Sequence, residues 1–66
     1  MLNCEEIKEL LKQSLEKYLK AIRISDLRFI EHEAAAWAYI KVLNDENLTV
    51  KYMDVNKAKE LLNKLN

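Results

Sequence analysis

The sequence predicts an all-α fold: a small helical bundle of two long antiparallel helices and a shorter C-terminal helix, completed by oligomerisation. Three observations predict it. The 66 residues include no Gly and no Pro, so nothing breaks a helix and most tight hairpin turns lose their favoured residue. Leu (11), Lys (9) and Ala (6) dominate the chain, and all three are strong helix formers. Apolar residues also recur with helical spacing over most of the length.

The first helix is expected over residues 4–22. Ile7, Leu10, Leu11, Leu15, Tyr18, Leu19 and Ile22 form one stripe, interrupted only by Ser14. Asn3 is placed to cap its start, with Glu6 three residues on as in a capping box, and Leu2 and Ile7 in staple positions. Glu5, Glu6 and Glu9 lie at the positive end of the helix dipole; Lys17, Lys20 and Arg23 lie at the negative end. The segment 21–25 holds no helix breaker, so a continuous rod of about 40 residues and ~60 Å is the alternative.

The second helix is expected from a Ser25 cap to Leu43, with Asp26 in its first turn. It carries two apolar stripes. Leu27, Ile30, Ala34, Trp37 and Ala38 form one, which is expected to pack on the first helix through the alanine-rich segment 34–38. Phe29, Ala36, Ile40 and Leu43 form the other. So wide an apolar arc implies more than one packing partner: this helix is either the centre of the bundle or a subunit interface. The candidate interaction residues are therefore Phe29, Ala36, Trp37, Ile40 and Leu43; Trp37 reads first as a core residue and alternatively as an interface anchor.

Residues 44–47, Asn-Asp-Glu-Asn, are four turn-formers in a row. Beyond them Leu48 to Met53 is expected to be irregular or extended, followed by a helix over 55–65 capped by Asp54. A helix starting at Thr49 is the alternative. The whole chain, 1–66, reads as one domain. A monomer of this size buries only about 60% of its extended-chain surface, and the single Cys4 offers no internal disulfide. Self-association is the expected remedy.

The composition excludes several function classes. Without glycine there is no phosphate-cradling loop, dinucleotide-binding turn or Gly-Ser nucleophile elbow. No apolar run approaches a membrane span, no secretory leader is evident, and a lone thiol suits a reducing compartment, so a cytoplasmic location is expected. His32 stands between Glu31 and Glu33, but adjacent helical side chains diverge by about 100° and cannot share one ion. No nucleophile–base pair, carboxylate pair or ligand cluster stands out, and a domain this small rarely encloses the ~300 Å³ of a ligand site. The sequence reads as non-enzymatic, with no cofactor and no metal.

Charge leaves two function classes. Lys+Arg and Asp+Glu are both 11, for a net charge of zero. The expected function is a small protein–protein interaction module, a subunit, adaptor or inhibitor, that presents an apolar helix face to itself and to a protein partner. The alternative is a DNA-associated regulator using Lys51, Lys57, Lys59 and Lys64, although phosphate binding usually needs a clear excess of converging cations.

Overall fold

The computed structural model describes residues 2–66. It is all-α, with helices α1 (Cys4–Arg23), α2 (Phe29–Leu43) and α3 (Val55–Leu65), and a 3-10 turn over Glu46–Leu48. The molecule measures 32 × 23 × 20 Å, which rules out the continuous rod of ~60 Å.

Helices α1 and α3 start where their side-chain caps dictate. Asn3 Oδ1 accepts the Glu6 N–H at 2.9 Å and starts α1. Asp54 Oδ1 accepts the Lys57 N–H at 2.8 Å and starts α3. Both satisfy a backbone donor that no helical carbonyl can reach. Between the helices, Asp45 Oδ1 accepts the Asn47 N–H at 2.9 Å, and Leu48 at the end of this turn is buried. Residues 49–54 are irregular, so α3 starts at the aspartate cap and not at Thr49.

The connection between α1 and α2 differs from the expectation. Ser25 does not cap α2; it adopts the left-handed conformation, φ 57°, and closes α1. The Asp26 N–H donates to Ala21 O at 2.8 Å, and the Ser25 N–H to Ile22 O at 3.1 Å. These are the two bonds of a Schellman motif, with serine where glycine is usual. In the turn that follows, Asp26 Oδ1 accepts the Arg28 N–H at 2.9 Å, and Arg28, at the cap position of α2, makes no side-chain cap bond. Regular α2 starts at Phe29, three residues later than a Ser25 cap implies. At its other end Asn44, φ 49°, provides the left-handed cap and donates its N–H to Ile40 O at 3.1 Å.

The centre of the fold is α1. It packs against α2 on one side and α3 on another, while α3 also touches the 3-10 turn. Leu11, Ser14, Leu15, Tyr18 and Ala21 of α1 are buried. Of these, Leu11, Leu15 and Tyr18 form one core cluster with Ala36 and Ile40 of α2, Leu48, and Ala58 and Leu61 of α3. Leu11, Leu15 and Leu61 are the largest fully buried side chains. The alternative in which α2 is the central helix is thus overturned: one long stripe on α1 takes both neighbours, leaving α2 at the flank.

Candidate protein-interaction surface

With α2 at the flank, its two apolar stripes have opposite fates, and the expected packing is reversed. Ala36 is 0% and Ile40 4% exposed, both inside the core. Phe29 and Leu43 are half-buried and packed against that core. Leu27, Ile30 and Val42 are 77%, 61% and 64% exposed, and Ala34 and Ala38 are exposed as well. The physical reason is volume. Phe29, Ile40 and Leu43 fill the space beside α1, and Ala36 between them lets the two backbones approach. Of the Leu27, Ile30, Ala34, Trp37 and Ala38 stripe, only Trp37 packs against the core.

The sequence-derived interaction residues are accordingly brought together, but within the chain itself. The Phe29 ring packs edge-on against Tyr18, with centroids 6.3 Å apart and planes at 70°. Trp37 lies at the boundary between the buried and open sides of α2, half-buried. Its Nε1–H donates to Glu33 Oε2, one turn earlier, at 3.2 Å. That bond satisfies the indole donor locally and fixes the ring beside Ile40, Thr49 and Val50.

On the open side of α2, Ile30, Ala34, Ala38 and Val42 fall within an arc of roughly 120° at 100° per residue. Glu31 and Lys41 are exposed inside the same arc. Among the described residues neither takes part in an ion pair. This surface is apolar and flat, with one charge of each sign near its two ends.

A second surface feature is a groove of about 500 Å³ between α1 and α3. Leu19, Ile22, Val55 and Leu62 line it, with Glu16, Lys20, Arg23 and Lys59 around them. It is open to solvent and does not enclose a ligand. Its signal in the sequence is that Leu19 and Ile22 belong to the α1 stripe, while Val55 and Leu62 share one face of α3.

Electrostatics around the α1–α2 turn are local. The Arg28 guanidinium hydrogen-bonds both oxygens of Asp26, with Nη2 to Oδ2 at 2.9 Å and Nε at 3.1 and 3.3 Å. These bonds, with the Arg28 N–H, hold the Asp26 carboxyl below its ordinary range and raise Arg28 in turn. Burial pushes the Tyr18 phenol up, with Glu33 and Asp54 adding to the effect. Cys4 is exposed in the first turn of α1. Among the described residues no three His, Cys, Asp or Glu side chains are grouped to hold a metal ion, and no helix is long and apolar enough to cross a membrane.

Two of the four C-terminal lysines are engaged within the chain. Lys64 Nζ donates to Asn47 O at 2.9 Å, tying α3 to the 3-10 turn. Lys57 Nζ lies 3.5 Å from Glu60 Oε2 and 5.3 Å from the Tyr52 ring centroid.

The chain matches no family model, no curated protein and no solved structure.

Proposed function

We propose that the chain is a non-enzymatic protein–protein interaction module, a subunit, adaptor or inhibitor that docks through the open face of α2. The observation that carries this reading is the alignment of Ile30, Ala34, Ala38 and Val42 on the side of α2 turned away from α1. Ile30 and Val42, left in water on the same open side of the helix, support reading that side as a contact surface. Burying Ile30 and Val42 fully is worth roughly 1.5–3 kcal/mol each. Ala34 and Ala38 between them admit another helix at close range, so the occupant is a helix of a protein. The lone thiol fits a reducing, cytoplasmic setting.

The DNA reading draws less support. Lys57 and Lys64 make contacts within the chain, which leaves Lys51 and Lys59 as the cations of that reading without an ion pair among the described residues, on a neutral molecule. Phosphate recognition built on two cations is weak.

Site-specific photo-crosslinking tests the reading. A benzophenone residue replaces Ala34 in one sample and Glu60, on the exposed side of α3, in another. A protein adduct formed from position 34 and not from position 60 is the expected result. A nucleic-acid adduct, or retention on duplex DNA that falls steeply with salt, overturns it, as does equal protein crosslinking from both positions.

A further inference from the structure

The groove between α1 and α3 has a charge pattern that the chain as a whole lacks. Its floor is apolar: Leu19 and Ile22 come from α1, Val55 and Leu62 from α3, and all four are half-buried. Its rim is basic. Lys20 and Arg23 stand on the α1 side and Lys59 on the α3 side, against one acid, Glu16. These four are exposed, and none takes part in an ion pair among the described residues. Three cations against one carboxylate make the rim positive, on a chain whose net charge is zero.

We infer that this groove docks an acidic amphipathic helix of a partner protein, whose apolar stripe is flanked by Asp or Glu on both sides. The inference goes beyond the reading of the α2 face and does not rest on it, since no α2 residue lines the groove. Together the two surfaces meet the requirement of an adaptor. Val55 and Leu62 lie two helical turns apart on α3, about 10 Å at 1.5 Å per residue. That is the span of side chains at i, i+4 and i+7 on a docked helix. Val55, Lys59 and Leu62 fall within an arc of about 60°, so Lys59 stands beside the apolar pair. With cations on both walls, carboxylates on both flanks of the docked stripe complete the charge match.

Shape selects a helix over other anionic occupants. The groove holds about 500 Å³ but is open to solvent. A small amphiphile such as a fatty acid binds with about 70–90% of its surface covered, and an open groove leaves its acyl chain in contact with water. A helix needs only its apolar stripe covered, because its backbone bonds are internal. An extended peptide adds to a free strand edge, and the described residues form no strand. A nucleic-acid backbone gains from the rim cations but nothing from the apolar floor.

Selection from a displayed library on the purified chain tests the inference. Every member is a helical peptide of about 14 residues with leucines fixed at i, i+4 and i+7, and the positions flanking them vary among Glu, Gln and Lys. Selection should enrich Glu at the flanks. On binding, the selected peptides should shift the methyl resonances of Leu19, Ile22, Val55 and Leu62. Lys20→Glu and Lys59→Glu should each weaken them about fivefold by fluorescence anisotropy, while Lys41→Glu on α2 stays within about twofold of wild type. All three positions are exposed, and circular dichroism confirms the fold of each variant. A selection that does not favour Glu over Lys overturns the inference. So do selected peptides that both rim reversals leave unchanged, or that Lys41→Glu weakens as much. Oleate that shifts the four sets of methyl resonances when no peptide does gives the groove to a small amphiphile and overturns the helix as occupant. Crosslinking from position 34 decides the α2 reading separately: its failure leaves this result intact, and a failed selection leaves that reading standing.

Discussion

The Tyr18 ring meets the edge of Phe29 at 6.3 Å and 70°, joining the last turns of α1 to the first residue of α2. Edge-to-face aromatic pairs contribute about 0.5–1.5 kcal/mol beyond the area they bury. A double-mutant cycle with Tyr18→Leu and Phe29→Leu, followed by urea unfolding, should give a coupling energy in that range. A coupling near zero would mean that the two rings act only as independent apolar bulk.

Ser25 holds a left-handed conformation, φ 57°, that glycine occupies without a steric penalty. Left-handed backbone costs an L-residue roughly 1–2 kcal/mol, partly offset because glycine loses more freedom on folding. Ser25→Gly should therefore stabilise the chain by about 0.5–1 kcal/mol. Ser25→Val should destabilise it, because a β-branched side chain fits that region worst. Urea midpoints that rank serine above glycine would contradict the Schellman closure of α1.

Asp26 carries the acid sensitivity of the α1–α2 turn. Its carboxyl is held below the ordinary value of 3.8, first by the side-chain hydrogen bonds from Arg28 and then by the Arg28 N–H. A lowered folded pKa means the unfolded chain binds the proton more readily. The contribution is thus complete above the ordinary value and is lost as the pH falls through the lowered one. Asp26→Asn keeps an acceptor for the Arg28 N–H but removes the charge. It should be less stable than wild type at pH 7, and the gap should narrow at pH 2. A gap unchanged at pH 2 would show that charge is not its source.

Ile40 and Ile30 lie about 80° apart around the same helix, one in the core and the other exposed, and their substitutions should separate cleanly. Ile40 is 4% exposed in the core, where Ile→Ala costs about 2–5 kcal/mol, a large share of the stability of so small a domain. Ile30→Ala, at 61% exposure, should change the unfolding free energy of the monomer by no more than about 0.5 kcal/mol. Thermal melts at dilutions that exclude association would read the difference. Equal destabilisation by both would reverse the assignment of the two stripes.

Local chemistry made most of the secondary structure legible. Asn3 and Asp54 announce the starts of α1 and α3, because a short acceptor just before an apolar-periodic run is the cheapest way to satisfy orphan backbone donors. The four polar residues after Leu43 announce the end of α2. The start of α2 was not legible to the residue. Ser25 and Asp26 are both competent caps, and the choice turns on whether the chain closes α1 with a left-handed residue, which depends on where α2 must go.

The candidate surface was legible only in part. The sequence by itself determined that α2 has two apolar stripes and that α1 has one long stripe, because side-chain spacing at 100° per residue is a local property. Which α2 stripe turns inward was decided by tertiary structure alone. Periodicity describes both stripes equally well and carries no information about what lies opposite. Against Leu11, Leu15 and Tyr18 the space calls for Phe29, Ile40 and Leu43 around a close approach at Ala36, since interiors pack to nearly crystalline density and leave few voids. The left-handed Ser25 turn delivers α2 onto α1, and the packing there leaves Ile30, Ala34, Ala38 and Val42 in water.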